Sequence, residues 1–261
     1  MVTSQRPIIV HHHLFKNAGS TLDSILARHF KKTWQAFDLP SRAVGSLKPE
    51  ELAEFLTPRP HLQAISTHQA KLLSAQIPGY RYYPLVFLRH PLDRIASVYA
   101  YLKRLPEHDL REHVLMAKRH SLADFIKWRL DVRFGATIRN FQTSMLCNDH
   151  INLTYKQVAN NDLEVAKGNI SALKFFGLVE HFDASIEAMK QYLSPQFGAI
   201  DLEYAVQNRN ENRNPSLHRR LDELLQSLGS SLYAELERAN AFDMALYHHA
   251  EKLFITRGLL S

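Results

Sequence analysis

Cysteine is almost missing from this 261-residue chain, where Cys147 stands alone. A single thiol excludes an internal disulfide, and without a CxxC pair there is no pattern for a structural zinc site. Long hydrophobic runs are also missing: stretches such as Pro84 to Leu88 fall far short of the roughly 18 residues that cross a bilayer. Met1 to Val10 has one arginine and a short β-like run, without the longer apolar stretch and small-residue cleavage site of a signal peptide. Internal repeats and low-complexity tracts are absent. Together these absences predict a soluble protein of a reducing, cytoplasmic compartment with no membrane span.

What remains is an ordinary globular composition, 45% hydrophobic and 22% charged. Lysine and arginine number 32 against 26 acidic residues, a net charge of +6. That excess suits an anionic ligand but is too small and too dispersed to predict nucleic acid as a partner. The length is enough to bury a sizeable core without staples.

Periodicity predicts strands alternating with helices. Pro7 to Leu14 is short and rich in β-branched residues, and apolar residues at Leu22, Ile25, Leu26 and Phe30 then mark one face of a helix. Further strands are expected at Leu62–Ser66, Tyr83–Leu88 and Phe175–Val179. Pro91 suits the first turn of a helix running to about Leu105, and another helix is expected near Ala184 to Leu193. The pattern is that of an α/β protein with a parallel sheet. One domain over residues 1–261 is expected, with a helical insertion at about 105–146 and a helical C-terminus at about 216–256 broken near Gly229.

Two segments carry the chemistry. Lys16-Asn17-Ala18-Gly19-Ser20-Thr21 lies between a strand and a helix. Its small residues admit a close ligand, Ser20 and Thr21 offer hydroxyls, and the helix start turns free N–H groups toward an anion. The lysine precedes the glycine, so the Walker A order GxxxxGK[ST] is absent and an ordinary P-loop NTPase is not expected. In the second segment Arg89 ends a strand and Ser97 follows about two helical turns later, a guanidinium and a hydroxyl suited to a second phosphate. The competing expectation for Arg89 is a helix-start ion pair with Asp93.

Together the two segments resemble the nucleotide-binding signatures of sulfotransferases that use 3′-phosphoadenosine 5′-phosphosulfate (PAPS). His13 to Leu22 is similar to the 5′-phosphosulfate loop, and Val86 to Tyr99 to the 3′-phosphate motif. The nearest likeness is to the carbohydrate branch that includes the uronyl 2-O-sulfotransferases of heparan sulfate. Ser66-Thr67-His68, Asn140 to Thr143, Gly177 to Phe182 and the helix from Leu236 to Phe254 extend it along most of the chain. Phe15, His90 and Ser144 depart from the residues usual in that family.

The resemblance implies a P-loop-like three-layer sandwich, the sulfotransferase fold, with a central parallel sheet flanked by helices. It implies sulfuryl transfer from PAPS to a hydroxyl, of a carbohydrate or another acceptor, with release of 3′-phosphoadenosine 5′-phosphate (PAP). Lys16 would neutralise charge on the leaving nucleotide, Asn17, Ala18, Gly19, Ser20 and Thr21 would hold the 5′-phosphate, and Arg89 and Ser97 the 3′-phosphate. His68 would be the base, and Arg213, in the polar Asn208–Asn214 loop, would reach a phosphate. Such a transfer needs positioning and charge stabilisation more than covalent chemistry.

No metal is expected. On a strand only His11 and His13 of the triplet His11–His13 share a face, and His248 and His249 are splayed on a helix without zincin spacing. The alternative functions are a nucleotide-dependent phosphotransferase with an atypical phosphate loop, and a non-catalytic relative that binds 3′-phosphoadenosine nucleotides or glycans. The expected strands show no magnesium-binding aspartate at their ends.

Overall fold

The computed structural model describes residues 5–40, 44–72, 77–131, 137–147, 158–201 and 214–259. Over these residues it is an α/β structure with five strands, all parallel, in the order β2-β3-β1-β4-β5. β1 (Arg6–His12) is central, between β3 (Ala64–Thr67) and β4 (Tyr80–Leu88). It ends two residues before the expected limit because the Leu14 N–H turns back to the His12 carbonyl at 2.8 Å. β5 is only Gly177–Leu178, shorter than the Phe175–Val179 expected, with Val179 already entering a 3-10 turn. β2 (Trp34–Ala36) was not expected from periodicity: three residues carry no alternation.

The two faces follow from the period of a strand. Ile9, Leu85 and Phe87 point to one face, where α1 (Gly19–Phe30) and α8 (Phe182–Phe197) cover them with Leu22, Ile25, Ile186 and Met189. On the other face Ile8 and Val10 meet Leu52 and Leu56 of α2 (Pro49–Leu56). Val86 and Leu88 meet α6 (Phe141–Leu146), α7 (Asn160–Ala172) and α10 (Ala241–Thr256) on that same face. Helices therefore flank the sheet on both sides.

A second, wholly helical core lies beside the sheet. α3 (Pro91–Lys103) starts at Pro91 as expected and packs Leu92, Ile95 and Val98 with α4 (Glu112–Arg119), α5 (Leu122–Leu130) and α9 (Leu217–Ala239). The insertion is thus a set of short helices, divided where His120 takes an extended backbone and Ser121 caps α5 through the Asp124 N–H. α9 bends at Gly229, which adopts φ 73° and ψ 160°. Among the described residues no helix is long and apolar enough to cross a membrane.

Candidate anion-binding site

In a parallel sheet every strand ends at the same edge, and ligands gather there where successive connections diverge. The chain leaves β1 toward β2 and leaves β4 toward β5, in opposite directions, so that divergence falls between β1 and β4. The loop after β1 and the first turn of α1 carry Lys16 to Thr21, β4 runs into Arg89, and β3 runs into His68. All three expected groups therefore stand along one edge of the sheet. Arg213 lies outside the described residues.

The loop is held in a costly shape. Lys16 (φ 67°) and Ala18 (φ 62°) are two of the four non-glycine residues with positive φ among those described. Each costs roughly 1–2 kcal/mol relative to ordinary backbone. Asn17, buried between them, donates from Nδ2 to the Phe87 carbonyl and to Gln142 Oε1, both at 2.7 Å. Gly19 starts α1 and lies so close to the His13 ring that a Cβ there would fall 2.0 Å from its Cδ2. Ser20 is exposed, Thr21 is buried in the first turn, and Lys16 Nζ stands 4.5 Å from the centre of the Tyr101 ring.

Arg89 is locked at the neighbouring strand end. Its Nε donates to Asp93 Oδ2 and its Nη1 to the Lys16 carbonyl, each at 2.9 Å. The helix-start ion pair therefore exists, and it leaves the outer nitrogen Nη2 buried without a partner. Asn17 Oδ1 is likewise buried and unpartnered. Such orphans are uncommon in folded chains, and these two, of seven among the described residues, lie at the β1–β4 strand ends and can take a ligand group or a water. Ser97, half-buried on α3, follows two turns on.

The sequence placed Gln142 in the Asn140–Thr143 segment of the resemblance without a role, and it gave no signal for Arg220. Gln142 accepts the Arg89 N–H at 3.0 Å through Oε1 and donates from Nε2 to the Arg89 carbonyl at 2.9 Å, so one buried amide holds both motifs. Arg220 of α9 donates from Nε to Asp93 Oδ1 at 2.8 Å and from Nη1 to the carbonyls of Asn214 and Pro215. Two guanidiniums thus share one carboxylate, and the Arg89–Asp93–Arg220 group keeps a positive charge suited to an anion. Glu180 behind it is pushed above the usual carboxyl range by burial and accepts from the His90 N–H and the Tyr247 hydroxyl. Burial lowers the His90 imidazole to about 4.

The histidines divide as the strand period requires. His12 points to the α2 side, bonding the Ala70 carbonyl and the Tyr82 hydroxyl, and burial lowers it to about 4. His11 and His13 point to the α1 side, where their Nδ1 atoms bond the two oxygens of Asp23 at 2.8 and 2.9 Å. Burial alone would raise the Asp23 carboxyl, but the two imidazole hydrogen bonds hold it well below the usual range. The rings of His11, His13 and His68 form a column, with centroids 5.2 and 4.0 Å apart. His11, His13 and Asp23 offer ligand atoms within 4.8 Å of one another, and these three could hold a cation.

His68 is the open end of that column, its side chain 42% exposed. Its Nδ1 lies 2.8 Å from Asp38 Oδ2, and Asp38 Oδ1 accepts both the His68 N–H and the Thr67 hydroxyl at 2.9 Å. Burial raises the Asp38 carboxyl, but the bonds from His68 and Thr67 outweigh it and leave the group lowered. Asp38 follows β2, the strand without a periodic signal, so no sequence pattern ties it to His68 thirty positions on.

No protein-family model matches this chain. It is similar to an uncharacterized protein of Archaeoglobus fulgidus, with 25% identity over 95% of this chain and 98% of the relative.

Proposed function

We propose that the chain is a PAPS-dependent O-sulfotransferase with the three-layer sulfotransferase fold, acting in the cytoplasm on a hydroxyl of a carbohydrate or related acceptor. The observation that carries this reading is the junction of the two motifs: Arg89, bonded to the Lys16 carbonyl, keeps a buried Nη2 without a partner beside a strained loop and a helix start. A donor bearing separate 5′ and 3′ anionic groups matches two adjacent anion sites better than a nucleoside diphosphate does. PAPS supplies an already activated sulfuryl group. Lys16 to Thr21 would hold its 5′ end, Arg89 and Ser97 its 3′-phosphate, and the positive charge of Lys16 would favour the anion that leaves. His68, exposed and backed by Asp38, would accept the proton of the acceptor hydroxyl.

The test is incubation with PAPS and a panel of unsulfated saccharides and simple alcohols, read by mass spectrometry. A product heavier by one sulfuryl group, with matching PAP release and no need for magnesium, is expected. Magnesium-dependent ADP release from ATP would instead establish the phosphotransferase. PAP binding without transfer to any acceptor would leave the non-catalytic binding relative.

A further inference from the structure

We propose that Asp38 is the positioning carboxylate of His68: it fixes the imidazole with the proton on Nδ1 and so presents Nε2 as a bare acceptor toward the sheet edge. This rests on the reading of His68 as the base.

The geometry decides the tautomer. A carboxylate can only accept, so the 2.8 Å contact between Asp38 Oδ2 and His68 Nδ1 requires the proton on that nitrogen. The other oxygen of Asp38 is occupied by two donors from the same turn, the His68 N–H and the Thr67 hydroxyl. With both oxygens engaged, the carboxylate cannot rotate freely, and the imidazole plane is set by its own backbone. Thr67 Oγ1 also accepts the Gln69 N–H at 3.0 Å, which fixes the turn from the other side.

The column behind His68 strengthens the constraint. His13 stacks on it with ring planes 26° apart, and His13 is itself held by Asp23 and backed by Gly19, where no side chain fits. Among the described residues the groups facing His68 are Asp38 from the segment after β2 and His13 just after β1, with Asp23 of α1 and His11 behind His13. Burial and the neighbouring imidazoles lower His13 against the opposing Asp23 hydrogen bond. A half-exposed ring held through Nδ1 by a carboxylate is the arrangement that a general base needs.

The test uses the full-length protein labelled with ¹⁵N, with imidazole nitrogens read by long-range ¹H–¹⁵N correlation above neutral pH and His68 assigned by H68Q. The wild type should show a protonated Nδ1 and an unprotonated Nε2. Asp38→Asn replaces one acceptor with an amide and should move most of the proton to Nε2. Asp38→Glu keeps a carboxylate and should restore the original tautomer at least in part. Where an acceptor turns over, Asp38→Asn should lower kcat about 100-fold or more while PAP affinity stays within twofold.

A wild-type spectrum with the proton on Nε2 overturns the proposal, even if the variant fails to fold. So does an Asp38→Asn spectrum identical to the wild type. The outcome is separable from that of the functional reading. Absence of PAP binding would remove sulfuryl transfer and leave the tautomer as found, whereas an inverted tautomer would remove Asp38 and leave the nucleotide site intact.

Discussion

Ala18 shows at the scale of one residue how the site is built against local preference. Its left-handed backbone is one that glycine adopts without penalty, so Ala18→Gly should raise stability by about 1 kcal/mol in urea unfolding. An unchanged or lower value would mean that the loop is not strained there. Buried imidazoles are a second residue-scale effect. His12 and His90 are lowered from 6.5 to about 4 by burial. Above about pH 6.5 neither the folded nor the unfolded state protonates them, and they do not alter stability. As pH falls from about 6.5 toward about 4, the unfolded chain takes up protons that the folded chain refuses. Each histidine should then cost about 3 kcal/mol of stability by the lower limit. Urea titrations across that range should show the loss, and His90→Leu should reduce its steepness by about half. A flat acid side would contradict the burial of both rings.

Among elements, the clamp between α6 and α10 matters most. Asp243 accepts from the Gln142 and Thr143 amides and the Thr143 hydroxyl, at 3.1, 2.7 and 2.8 Å. Asn140, at φ 45°, accepts the Phe242 and Asp243 amides in return. This reciprocal cap fixes Gln142, and Gln142 fixes both Asn17 and Arg89. Asp243→Asn puts a donor among three donors and weakens the negative charge facing buried Arg94. It should therefore cost about 2–4 kcal/mol in urea unfolding and reduce PAP affinity at the same time. Loss of neither would remove the clamp from the account.

What the sequence disclosed follows the same division. β1, β3 and β4, the Pro91 start and the Gly229 break were legible because hydrophobic period, proline and glycine act over a few neighbours. β2, α2 and α7 were not, since a three-residue strand has no pattern and the two helices lie in mixed-polarity stretches. Lys16, Arg89 and His68 could be nominated from their places after strands. Gln142 and Asp243 fell within the segments of the resemblance but had no role assigned, and Arg220 and Asp38 carried no signal, because the partners of all four lie 30 to 127 positions away in the chain.

For the whole molecule, topology does the gathering. All strands are parallel, so three loops far apart in sequence emerge at one edge, and the reversal of direction at β1 and β4 opens the place between the two motifs. The Lys16–Thr21 segment and Arg89 are in direct contact there, and the Arg89–Asp93–Arg220 group carries more positive than negative charge. The proposed role of this edge is to bind a nucleotide through its 3′-phosphate. Titration calorimetry with PAP tests it most directly, with ADP and adenosine 5′-phosphosulfate as controls and Arg89→Ala as the variant. Binding of PAP at least tenfold tighter than of either control, with that preference lost in the variant, is the predicted result. Equal binding of PAP and ADP, or no binding of PAP, would contradict it.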